Sequence, residues 1–170
     1  MVDNTTKTVR LTFKRSELVY DCENYSFVEG DLMQEDEEHA KHQVFDIAQD
    51  GNVDRVTRML NLCFADCVEM LYPYSKETVV DESELDDTLV VHDKYVLTLR
   101  LPDTFSQTTV RLLLKLIHEL MVDYVMADWL SITKPASKTN WEDKIDKLKD
   151  KITSCLSKRM GRVRRPMTPF

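Results

Sequence analysis

The sequence predicts an α+β fold that is mostly α: a bundle of four to five helices with a two-stranded β element and an extended C-terminal tail. Three observations predict it. Two stretches, 8–14 and 95–101, alternate apolar and polar residues with a period of two. Most other apolar residues recur at helical spacing instead. Only three glycines and five prolines interrupt 170 residues, which favours long regular elements over tight turns. A chain of this length fits one domain that buries roughly 70% of its unfolded surface. Residues 1–160 are read as that domain and 161–170 as the tail.

The first alternating run, TVRLTFK, places Val9, Leu11 and Phe13 on one face and Thr8, Arg10, Thr12 and Lys14 on the other, which is a half-buried strand. Ser16 followed by Glu17 offers an N-cap. Leu18, Cys22, Tyr25 and Val28 then recur at helical spacing up to Gly30, which is placed to end that helix. The acidic run DLMQEDEE is read as solvated and leads into a helical stretch from about Glu35 to Ala48. Asp50, Gly51 and Asn52 signal a turn. Val53, Val56, Leu60, Phe64, Cys67, Val68 and Leu71 define a long amphipathic helix that stops near Pro73. Residues 75–93 carry six acids (Glu77, Asp81, Glu82, Glu84, Asp86 and Asp87) without periodicity, which predicts an exposed acidic loop.

Tyr95, Leu97, Leu99 and Leu101 line one side of the second strand, ended by Pro102. From about Thr104 to Ile132 the chain is apolar almost all round, as a central helix contacted on several sides would be. Lys134-Pro135 breaks it. Thr139 with Glu142 three residues on forms a capping box for the last helix. Trp141, Ile145, Leu148, Ile152, Cys155 and Leu156 face inward on that helix, and Gly161 closes it. The two strands are expected to pair across the bundle. A sheet of two strands keeps two open edges, a liability in a monomer and a docking surface in a ring of identical subunits.

Several function classes fall away. The opening MVDNTTKTVRLTF has no apolar core behind a basic start, so no secretory signal is read there. The most apolar stretch holds Lys115, His118, Glu119, Asp123 and Asp128, too many ionisable groups for a lipid-spanning helix, so no membrane partner is expected. Cys63 and Cys67 share a helix face, while Cys22 and Cys155 are remote; with no second ligand pair, the four are read as small core residues in a reducing compartment. Gly30, Gly51 and Gly161 stand alone, which rules out a glycine-rich phosphate loop. His39 and His42 sit in a charged surface run, and His118 is read as a hydrogen-bonded core residue. One enzymatic pattern remains. Glu35 and Glu38, with Asp66 and Glu69 on the next helix, have the spacing of carboxylate pairs that hold Mg²⁺ against a triphosphate. The pattern resembles that of all-helical nucleotide pyrophosphatases, with its second pair in reverse order.

The tail carries the clearest charge signal. Lys158, Arg159, Arg162, Arg164 and Arg165 put five positive charges into eight residues of a chain with net charge −7, which leaves −12 on the remainder. Nucleic acid would attract such a run, but the acidic body opposes it and no aromatic residues interleave with the arginines. An acidic protein surface fits better. Pro166 and Pro169 favour an extended segment, and Phe170 supplies an apolar anchor. The partner-binding set is therefore Arg162, Arg164, Arg165, Pro166 and Phe170.

The stretches RSELVYDCENYSFVEGD, DRVTRMLNLCFADCVEMLYPY, LIHELMVDYVMADWLSITKPA and RVRRPMTPF resemble small proteins encoded in tailed phages and prophages of gut bacteria. That resemblance implies a non-enzymatic structural protein of the virion, assembled in the host cytoplasm, with no cofactor and no metal. The helical hairpin with a basic exit tail is similar to head–tail connector (adaptor) proteins, which form rings beneath the portal with terminal arms on neighbouring subunits. The partners so implied are further copies of the chain and virion proteins such as portal or tail subunits, with DNA only passing through the ring. The strand pair and the acidic loop depart from that pattern, which leaves a tail-completion protein open as well.

Overall fold

The computed structural model describes residues 6–33, 38–72, 74–79 and 84–157. Two strands and five helices follow in chain order: β1 (Thr6–Lys14), α1 (Arg15–Asp31), α2 (Glu38–Phe45), α3 (Val53–Met70), β2 (Lys94–Pro102), α4 (Gln107–Thr133) and α5 (Pro135–Ser157). Two 3₁₀ turns, Asp46–Ala48 and Asp50–Asn52, join α2 to α3. The fold is α+β and mostly helical, with one two-stranded antiparallel sheet. No helix among the described residues is long and apolar enough to cross a membrane.

The strands pair along their whole length, with Leu11 opposite Leu97, Val9 opposite Leu99 and Lys14 opposite Lys94. Their inner face carries Leu11, Phe13, Tyr95, Leu97, Leu99 and Leu101, all buried. Each such side chain stabilises the fold by roughly 1.5–3 kcal/mol on burial, so this face fixes the register. Val9 is only half-buried, since it lies toward the open end of the sheet. α4 is the central helix, with Leu113, Ile117, Leu120, Met121, Val125, Met126 and Leu130 buried along it. It packs against α1, α3 and α5. Trp129 Nε1 on α4 donates to Val44 O on α2 at 2.9 Å, which pins the short helix to the long one.

Several helix boundaries differ from the sequence reading. α1 starts at Arg15, straight out of the strand, and Ser16 lies exposed in its first turn. The Arg15 N–H donates to Asp93 O at 3.0 Å, so a tertiary bond does the work expected of a side-chain cap. Gly30 does not end α1 but lies buried inside it, where an added Cβ would collide with the Phe45 ring. The glycine is there for close approach of α2 rather than for a left-handed turn. Val28 is exposed, while Leu18, Cys22 and Ser26 make the buried stripe. α5 starts at Pro135, directly after Lys134, because the fixed φ of proline suits the first helical position. Thr139 and Glu142 are therefore inside the helix, where Glu142 pairs with Lys138 at 3.3 Å instead of closing a capping box. The 75–93 segment has no regular structure where it is described, up to the start of β2. Gly161 lies outside the described residues.

Candidate functional site

Of the four enzymatic candidates, the side chains of Asp66 and Glu69 on α3 are described. Glu35 lies outside the described residues, and of Glu38 only the helical backbone is described. Glu69 is exposed on α3. Asp66 is already engaged: Tyr124 Oη donates to its Oδ2 at 2.7 Å, and Lys149 Nζ lies 2.9 Å from the same oxygen. Burial opposes its charge, but these two partners outweigh burial and hold its pKa below the usual carboxylate value. Among the described residues no group of three His, Cys, Asp or Glu side chains is placed to hold a metal.

The histidines and cysteines that are described lie in local contacts. His118 Nε2 lies 2.7 Å from Asp21 Oδ2, which ties α4 to α1 beside a shallow depression of about 450 Å³. No serine or cysteine lines that depression. His42 meets the Phe45 ring edge-on, and His39 Nε2 is 3.4 Å from Gln43 Nε2 on the same helix. Cys22, Cys63 and Cys67 are buried and free. Burial pushes the Cys22 thiol far up, and the contact with Cys67 followed by burial does the same to Cys63, so neither is a ready nucleophile. A groove of about 560 Å³ between α3, α4 and α5 is bordered by Asp128, Lys138, Glu142, Asp146 and Lys149. Four of these are paired: Arg55 forks onto Asp128 at 2.7 and 2.9 Å, and Lys138–Glu142 and Lys149–Asp66 are described above.

The outer face of the sheet is different. Alternation along β1 places Thr6, Thr8, Arg10, Thr12 and Lys14 outward, and along β2 it places Lys94, Val96, Thr98 and Arg100 outward; all are exposed. Four cations and no acid occupy this face of an acidic protein. Among the described residues none of the four forms an ion pair. The register sets Lys14 directly opposite Lys94 and Arg10 diagonal to Arg100. Like charges across a strand pair destabilise a sheet, so this arrangement works against folding on its own.

The backbone adds an open edge. Arg100 N–H donates to Tyr74 O at 2.8 Å, so its backbone groups point away from β1 and the segment before the acidic loop covers that part of β2. By the alternation of antiparallel ladders, the backbone groups of Thr8, Arg10 and Thr12 point out along the far edge of β1. Among the described residues no backbone bond outside the strand pair reaches them.

The residues expected to bind a partner, Arg162, Arg164, Arg165, Pro166 and Phe170, lie outside the described residues. Arg10 and Lys14 were legible in the alternation of the first strand. Lys94 and Arg100 were not singled out, although the same period of two marks them; their significance depends on the register that brings them beside Lys14 and Arg10. No protein-family model matches the chain, and neither a curated protein nor a solved structure matches it.

Proposed function

We propose that the chain is a non-enzymatic assembly subunit, a ring-forming head–tail connector or neck protein of a tailed phage. It docks its neighbours through the β1 edge, the basic outer face of the sheet and the basic tail at 161–170. One observation carries this reading: a nine-residue strand whose outer edge has no backbone partner among the described residues, beside four cations that form no ion pair among those residues. Long open edges invite pairing with a second chain, and monomeric proteins blunt them. The neighbours with suitable chemistry are acidic protein surfaces, from other copies and from portal or tail subunits. The resemblance of RSELVYDCENYSFVEGD and RVRRPMTPF to phage proteins directs the reading to the virion neck.

The test is assembly. Deleting 162–170 is expected to leave the helical domain folded, with little change in melting temperature, and to prevent stable incorporation into the virion neck in a complementation assay. Replacing Arg162, Arg164 and Arg165 by Glu does the same, and replacing them by Lys weakens incorporation only in part, because the bidentate geometry is lost. Salt-resistant incorporation of the truncated chain overturns the role of the tail. Mg²⁺-dependent release of pyrophosphate from a nucleoside triphosphate, lost in the Glu38→Gln/Glu69→Gln variant, replaces the whole reading with a hydrolase.

A further inference from the structure

The sheet face has a complement on the same molecule. In the segment before β2, Val79 is 89% exposed and Leu85 is 91% exposed, more than any other large apolar side chain described. Leu85 stands among exposed acids, Glu84, Asp86 and Asp87. None of these acids forms an ion pair among the described residues. An acidic stretch with a nearly bare leucine has the composition of a docking segment: charge for orientation and an apolar anchor for affinity.

That stretch runs along α3 of its own chain. Asn61 Nδ2 on α3 donates to Val90 O at 3.0 Å, and Asp87 and Thr88 lie beside Arg58 and Leu62 of the same helix. α3 itself meets the inner face of the sheet. Tyr95 Oη donates to Asn61 Oδ1 at 2.8 Å, and the Phe64 and Tyr95 ring centroids are 5.3 Å apart. Asp87 thus sits beside α3, Thr88 and Val90 line a groove that reaches Lys94 and Val96, and Arg10, Lys14, Lys94 and Arg100 point outward from the sheet. Among the described residues these acids and the four cations form no ion pair within one molecule.

We infer that residues 84–87 of one copy dock against the outer face of the β1–β2 sheet of the next, along the open edge of β1. Glu84, Asp86 and Asp87 answer Arg10, Arg100 and the Lys14–Lys94 pair, and Leu85 covers the exposed Val96. Because the two surfaces are different patches of one chain, the contact is head-to-tail, and repetition closes a ring when the rotation per subunit divides a full turn. The inference rests on the assembly-subunit reading above and supplies the contact between copies. A nucleic acid strand on the same face is disfavoured by the absence of an exposed aromatic residue among the outward positions.

The experiment exchanges the charges of the full chain. One variant reverses the face (Arg10→Glu with Arg100→Glu), a second reverses the segment (Glu84→Lys, Asp86→Lys, Asp87→Lys), and a third combines both. All positions are exposed, and circular dichroism melts check that each variant folds. Sedimentation velocity at low salt is expected to show self-association of the native chain, weakened at least about tenfold by either reversal and strengthened again in the combined variant or in a mixture of the first two. A monomeric native chain, equal association of all variants, or a combined variant that stays dissociated overturns the inference. So does binding of single-stranded or duplex DNA that depends on Arg10 and Arg100 but not on 84–87. The two proposals fail separately: unchanged incorporation into the neck by both reversed variants sinks the inference alone. Restored self-association in a chain that never enters the particle sinks the neck assignment alone.

Discussion

At the seam where α1 meets α4 and α5, Glu29 has three side-chain donors: Lys134 Nζ at 2.8 Å, Ser137 Oγ at 3.0 Å and Trp141 Nε1 at 3.0 Å. On the outer face of the sheet, Arg10, Lys14, Lys94 and Arg100 have no acidic partner among the described residues. Both regions concentrate charge, and the difference separates two uses of it. In the seam, partners from α5 and from Lys134, the residue between α4 and α5, meet one carboxylate of α1, which fixes how the helices sit on one another. On the sheet, the charge does nothing for the fold and points at whatever arrives from outside.

The largest effect is expected at Glu29. Lys134 Nζ also donates to Glu29 O at 3.0 Å, so one side chain ties both the backbone and the carboxylate at the end of α1. Removing the carboxylate leaves a half-buried ammonium with only the Glu29 carbonyl and no counter-charge, and leaves the indole N–H without its acceptor. Glu29→Ala should therefore lower stability by roughly 2–4 kcal/mol, measured by denaturant unfolding with Trp fluorescence. The pH sign follows from the same contacts. Burial opposes ionisation of Glu29, but Lys134, Trp141 and Ser137 outweigh it, and the native pKa is lowered. Its contribution is complete above the ordinary carboxylate value of 4.5 and is lost as pH falls through the lowered native value. A variant as stable as the native chain would show that the seam is held by apolar packing alone.

The seam also contains its own counter-example. Asp123 on α4 is 1% exposed, and its Oδ1 has no hydrogen-bond partner among the described residues. Lys144 on α5 approaches that oxygen only to 3.9 Å and lies over the Trp141 ring. Burial pushes the Asp123 carboxyl up to about 7, with Lys144 opposing and Glu119 adding to the rise. A raised native pKa means that the folded chain holds a proton the unfolded chain has released. Stability on this account falls as pH rises from 3.8 to about 7. Asp123→Asn mimics the protonated form. It should stabilise the protein by roughly 1–2 kcal/mol at about pH 8, and the gain should shrink toward about pH 4. Thermal melts across that range check it. A pH-independent loss would show instead that the Lys144 pair stabilises the ionised form.

The contrast between seam and sheet explains what the sequence made legible. Periods of two and of 3.6 record which face is buried, so Leu11, Phe13, Leu97 and Leu99 and the stripes of α3 and α4 could be read directly. Boundaries could not, because they were decided by tertiary bonds. Arg15 is capped by Asp93, 78 residues away, and Gly30 matters only because Phe45 arrives against it. The Glu29 cluster was hidden for the same reason: Lys134 is 105 residues from Glu29 and Trp141 is 112. The outer face of the sheet sits between these cases. Each strand declares its own outward residues, but the facing of Lys14 and Lys94 is a property of the register.

The smallest effect is also the sharpest, because fold and function should move in opposite directions. Lys94 is exposed and directly opposite Lys14 in the sheet. A backbone alternation that points Arg100 N–H outward makes this a non-hydrogen-bonded pair, in which side chains come closest. Lys94→Glu replaces a cross-strand repulsion by an attraction and should stabilise the monomer by roughly 0.3–1 kcal/mol at low ionic strength, fading as salt screens it. The same change removes a cation from the proposed docking face and adds an acid, so self-association should weaken while the melting temperature rises. A charge retained for folding cannot behave in this way. If Lys94→Glu lowers the melting temperature, the lysine has a stabilising partner within the chain, and the face is structural rather than open. If it raises the melting temperature and leaves association untouched, the repulsion is real but the partner docks elsewhere, along the backbone edge of β1 and away from Lys94.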